Sequence, residues 1–194
     1  MSDSILSRRT LLGASAGVAA ALTAAARPAS ASGLVDLDPI KTELVMNLVV
    51  TCSTPQPMGP NAEAKDGRRD VIWPIIGGRF EGPKLKGKVV PGGADFPVTR
   101  PDGVDVVDAF YRLQADDGTL IIIHNVGLMY PQADDGRYVF RLSPSFTTVK
   151  GPHDWLQKSL FLATLVYGDA VPEPMRLAKG PDENDRLIQV HRVF

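Results

Sequence analysis

Cysteine is nearly missing from this sequence of 194 residues: Cys52 stands alone, which excludes an internal disulfide. Within an apolar run, Cys52 reads as a small buried hydrophobe rather than a nucleophile. Histidine is almost as scarce. His124, His153 and His191 are far apart, and none has a partner at metal-ligand spacing. The chain has no serine in a nucleophile-elbow pattern, no phosphate-binding glycine loop and no dinucleotide fingerprint. Gly77-Gly78-Arg79-Phe80-Glu81-Gly82 does not replace the last of these, because no helix follows to aim its amides at a phosphate. The expectation is no metal and no cofactor. Charge of one sign is not in excess either, with 21 Lys+Arg against 22 Asp+Glu, so nothing favours nucleic acid or an anionic membrane as partner.

Long apolar runs are missing except at the N-terminus. Ser7-Arg8-Arg9-Thr10-Leu11-Leu12 sets two arginines before an Ala-, Gly- and Leu-rich stretch that stays uncharged up to Arg27. Ala29-Ser30-Ala31 follows, with small residues placed as signal peptidase requires. The apolar stretch is short for a bilayer, which needs ~20 residues. Residues 1–31 are therefore expected to be a cleavable twin-arginine signal, with the export machinery of that pathway as the precursor's partner and a periplasmic or secreted location. Those residues hold three arginines and one aspartate. Residues 32–194 then form a single domain of 163 residues with 18 basic against 21 acidic side chains, a net charge of −3 and no stable membrane span.

What is abundant is turn chemistry. The chain has 18 glycines and 16 prolines. Asp66-Gly67, Gly77-Gly78, Gly92-Gly93, Asp102-Gly103, Asp117-Gly118 and Asp135-Gly136 separate runs rich in Val, Ile, Leu, Phe and Tyr. The pattern predicts an all-β protein with strands near 42–51, 70–80, 84–90, 104–114, 119–129, 137–142, 159–167 and 187–194. A helical turn or two is expected only around 153–158. The stretches 53–69 and 168–185 read as long loops, rims over a site or flaps. Eight antiparallel strands can close into a barrel with room for one small ligand; a two-sheet sandwich is the alternative.

Alternation sorts the side chains by face. Val107, Ala109, Tyr111 and Leu113 share one face of their strand, and Asp108, Phe110 and Arg112 the other. In Pro91-Gly92-Gly93-Ala94-Asp95-Phe96-Pro97, two glycines free the backbone and an aspartate sits beside an aromatic ring. Such a carboxyl is either desolvated into a useful acid/base range or a turn cap bonded to nearby amides.

The run from Gly77 through Gly92-Gly93-Ala94-Asp95-Phe96 resembles the signature of domain-of-unknown-function family 3237. So do Arg100-Pro101-Asp102-Gly103, Asp108-Ala109-Phe110-Tyr111, Asp117-Gly118-Thr119-Leu120-Ile121, Asn125-Val126-Gly127, Pro144-Ser145-Phe146-Thr147-Thr148 and Trp155-Leu156. The matches keep their order over roughly residues 40–194. The resemblance implies a single lipocalin-like closed barrel and no particular reaction. This chain departs from the family pattern at Phe96 (usually tryptophan), Phe110 (usually arginine) and Thr147 (often glutamate). A polar cluster of Asp108 with that arginine and that glutamate inside family barrels would lack two members here.

The expected function is an exported barrel that binds a small, partly apolar organic molecule in its lumen. Proton-transfer chemistry of the isomerase, hydratase or lyase type is compatible with it. Asp95 is the candidate acid/base, with Asp108, Tyr111 and Asn125 as further catalytic candidates. Arg79, Phe96, Phe110 and Trp155 are the candidate ligand contacts. A carrier or sensor without turnover, and a module that binds partners through its loops, are the alternatives.

Overall fold

In the computed structural model, residues 38–63, 65–131 and 136–194 are described; the export segment expected over 1–31 lies outside them. Among these residues the turn signals bound ten strands: β1 (Thr42–Ser53), β2 (Gln56–Pro60), β3 (Arg69–Glu81), β4 (Lys86–Asp95), β5 (Val98–Thr99), β6 (Asp105–Ala115), β7 (Leu120–Pro131), β8 (Tyr138–Thr148), β9 (Leu160–Tyr167) and β10 (Glu183–Val193). Asp117-Gly118 makes the tight β6–β7 hairpin. Asp117 Oδ1 accepts the Thr119 amide at 2.9 Å, and Gly118 takes φ +86°.

Neighbours pair in the order β1-β10-β9-β8-β7-β6-β4-β3, all antiparallel, and β3 returns to pair with β1. That last pairing closes an eight-strand barrel and sets the sandwich aside, since no edge of the main sheet stays open. β2 and β5 are short additions beside β3 at one end. Neither is anticipated by the turn pattern, because prolines at 57, 60 and 97 mask them as loop.

Inward side chains alternate with outward ones along each strand. One end is filled with bulk: Phe80, Phe146, Phe161, Leu113 and Ile121 interlock there, and Leu156 from a 3-10 turn at Asp154–Lys158 plugs it. Toward the other end the small residues Cys52, Val107 and Ala109 stand among the larger Trp73, Met129 and Phe140, and space remains in the lumen between them.

The segment 168–182 is not a flap over the lumen. Asp185 is buried on the outer side of β10, where its Oδ2 accepts the Ala178 amide at 2.8 Å and its Oδ1 the Thr51 hydroxyl at 2.6 Å. These bonds strap the segment across β1 and β10, and Val171, Leu187 and Val49 form a small second core beneath it.

Candidate functional site

The GGAD segment is not a loop but the end of β4, and it carries a bulge. Val90 pairs with Arg112 and Gly93 with Tyr111, so Pro91 and Gly92 are extra residues on one strand. Inserting two residues rather than one keeps the faces in phase, so Asp95 shares the inner face with its partners Ala109 and Trp73. Gly93 is required. Its φ is +117°, and a β-carbon there would stand 2.6 Å from the Phe110 carbonyl oxygen.

Asp95 lines a cavity of about 190 Å3 at the loosely filled end, with Trp73, Asp105, Val107, Tyr167 and Arg186 among its walls. Its Oδ1 accepts the Asp108 amide at 3.2 Å. Burial raises its pKa from 3.8 to about 6; Arg186 and the amide bond work against this rise, and Asp108 and Asp105 add to it. The carboxyl thus exchanges its proton near neutrality.

Arg186 lines the same cavity, and no motif in the sequence points to it. Its guanidinium stacks over Trp73, 4.5 Å from the ring centroid. Its Nη1 is buried without a hydrogen-bond partner among the described residues. The signal was available: on β10 Arg186 shares a face with Ile188 and Val190, and a cation on an apolar face calls for explanation. β10 begins at Glu183, four residues before the 187 that the turn pattern predicts, and Arg186 falls in that difference.

Beneath Asp95 and Arg186 lies a smaller space of about 20 Å3, bounded by Cys52, Ala109, Tyr111 and Asn125 among others. It has room for about one water. The Tyr111 hydroxyl and Asn125 Oδ1 are buried there without partners among the described residues, and both side chains are at most 2% exposed. Burial drives the Tyr111 phenol well above its ordinary range, so it stays a neutral donor. Burial also lifts the Cys52 thiol to about 11, which keeps it protonated and unreactive.

The structure thus brings Asp95, Tyr111 and Asn125 together in the lumen. It does not bring the other candidates there. Asp108 and Phe110 point outward because they alternate with Val107, Ala109 and Tyr111. Asp108 Oδ1 meets His124 Nε2 at 2.7 Å on the outer wall, and the Phe110 ring lies edge-on to His124. Thr147 faces outward as well, so positions 108, 110 and 147 belong to the outer wall and not to a cluster inside. Arg79 is exposed and donates to the Pro174 carbonyl at 3.2 Å. Phe96 is 47% exposed, beyond the end of β4. Trp155 belongs to the plugged end, against Phe161 and near Lys84 and Arg192.

Fold and cavity together define a closed eight-strand antiparallel barrel, plugged at one end and hollow toward the other. The chain belongs to the family described as protein of unknown function (DUF3237), whose model matches residues 40–171. A UPF0311 protein of Clostridium acetobutylicum is 32% identical over 141 residues, 66% of this chain and 87% of that protein. The crystal structure of a protein with unknown function from Clostridium acetobutylicum is similar, with 27% identity and a TM-score of 0.64 over 80% of this chain and 100% of that one. A beta-barrel like protein from Acinetobacter baumannii, 24% identical, shares the fold with a TM-score of 0.67 over 83% of this chain and 100% of its own.

Proposed function

We propose that this protein holds a small organic molecule in its lumen and transfers a proton on it through Asp95, in a reaction of the isomerase, hydratase or lyase type. The observation that carries the reading is the Asp95 carboxyl itself: it is desolvated on a cavity wall, with a pKa of about 6. A general base or acid works best with its pKa near the operating pH. Tyr111, held neutral, and Asn125 have unused polar atoms in the one-water space beneath Asp95, and a water there would relay their hydrogen bonds to a substrate oxygen. Arg8-Arg9 and Ala29-Ser30-Ala31 add export through the twin-arginine pathway to this proposal. Mature protein starting near Ser32 by N-terminal sequencing supports export, and exported protein that retains Ser2 overturns it.

The test of the site is paired. The compound that co-purifies with the full chain is identified by native mass spectrometry, and its affinity or turnover is measured for wild type and Asp95→Asn. The expected loss is at least tenfold in turnover, ~1.4 kcal/mol, with an unchanged or higher melting temperature. A lower melting temperature with unchanged turnover would make Asp95 a structural cap and end this reading. The amide bond from Asp108 favours a second reading, a carrier without turnover. In that case the bound compound leaves the protein chemically unaltered.

A further inference from the structure

A guanidinium out of water is normally matched by an anion. Arg186 is partly buried, and it forms no ion pair and no side-chain hydrogen bond among the described residues. Asp95 and Asp105 line the same cavity, yet neither pairs with it. The Trp73 ring covers the guanidinium face, so its N–H edges are the directions left for bonding.

We propose that the lumen takes a small carboxylic acid with a flat apolar body, its carboxylate received by the free edge of Arg186 and its body lying among Trp73, Met129, Phe140 and Tyr167. This rests on the lumenal reading above and specifies its ligand class. A planar fork of donors suits a carboxylate, which it can engage with two parallel bonds. The cavity, about 190 Å3, is below the ~300–1,000 Å3 of drug-sized sites, so the acid is compact. Phosphate fits less well. One arginine would face a dianion beside Asp95 and Asp105, with no second cation lining the cavity among the described residues. An amine is disfavoured because Arg186 already occupies the indole face and repels a like charge.

The charged and titratable groups around the cavity are Asp95 from β4, Asp105 and Tyr111 from β6, Cys52 from β1, Tyr167 from β9 and Arg186 from β10. Of these Asp95 titrates near neutrality, with a pKa of about 6. Its ionised form repels a bound carboxylate, so affinity falls as pH rises from 5 to 8.

The experiment uses the full chain carrying Trp155→Phe, which leaves Trp73 as the sole indole, and follows its fluorescence. The probes are benzoate and phenylacetate, each against its neutral amide, with inorganic phosphate as competitor. The acids are expected to bind saturably, at least tenfold tighter than the amides and at least threefold tighter at pH 5 than at pH 8, without competition from phosphate. Arg186→Gln is expected to weaken the acids at least tenfold and leave the amides unchanged. Arg186→Lys keeps the charge and loses less, and circular dichroism checks that both variants fold. Amides that bind as tightly as acids, or an Arg186→Gln variant that weakens both alike, overturn the carboxylate and leave the lumenal site standing. Absence of binding by every probe overturns the carboxylate, and a co-purifying compound indifferent to both Arg186→Gln and Asp95→Asn overturns the lumenal site as well.

Discussion

Asp95 Oδ1 accepts the backbone amide of Asp108 at 3.2 Å, while the Asp108 carboxylate points the opposite way and meets His124. The two aspartates lie on opposite sides of one barrel wall. Asp95 faces a desolvated cavity and Asp108 faces solvent, and this difference governs how replacement of each behaves.

Asp95→Asn should stabilise the protein at neutral pH. The folded-state pKa of about 6 lies above the ordinary 3.8, so the folded state binds more protons than the unfolded one between those values. The stability contributed by this group is complete below pH ~4 and is lost as pH rises through 6, a difference on the order of 2–3 kcal/mol. Thermal melts from pH 4 to 7.5 should show the variant gaining on wild type across that window. A constant difference between the two curves would contradict a desolvated carboxyl.

Asp108→Ala should do little. Its partner is an exposed histidine on the outer wall, and such pairs contribute ~1 kcal/mol or less. Chemical denaturation should shift by no more than that, and binding in the lumen should not change.

Gly93→Ala should be costly for its size. The new β-carbon meets the Phe110 carbonyl and the Tyr111 side chain in a backbone conformation that disfavours any side chain. A loss of about 2 kcal/mol or more is expected, roughly 4–8 °C in melting temperature. Because Gly93 positions Asp95, the variant should also lose lumenal binding.

Trp155→Ala separates the two ends of the barrel. The ring packs on Phe161 beside the plug, far along the strands from Asp95, so a loss of about 2–3 kcal/mol is expected with ligand affinity intact. Equal losses of stability and affinity would mean that the plugged end shapes the site.

Cys52 offers a probe of opening. It is fully buried and its thiol is raised to about 11, so a thiol reagent should label native protein only through unfolding. Labelling should accelerate with denaturant in step with global stability. Rapid labelling of native protein would place the thiol in open solvent.

Much of the barrel is legible in the sequence alone. Turn signals such as Asp117-Gly118 and alternation such as Val107-Ala109-Tyr111 are local, and they identify strands and faces without knowledge of neighbours. β2 and β5 were not legible, because a two- to five-residue strand rich in proline carries no periodic signal. Asp95 is legible as a candidate from the two glycines and the aromatic ring beside it, and Tyr111 and Asn125 from the motifs that match the family. Arg79, Phe96, Phe110 and Trp155 stand out only by their chemistry within matching motifs, and a motif does not say which way a side chain points.

The sequence by itself determined an all-β chain, the positions of its main turns and the parity of each strand, since backbone geometry alone sets these. Only the tertiary structure decided that β3 returns to β1 and closes the barrel, which end is plugged and which is hollow, and that Arg186 comes to rest on Trp73 beside Asp95. The physical reason is that these contacts join residues far apart in sequence, Leu48 with Phe80 in the closing pair and Trp73 with Arg186 at the cavity. The desolvation that raises Asp95 comes from strands along the whole chain, so no local pattern around Asp95 contains it.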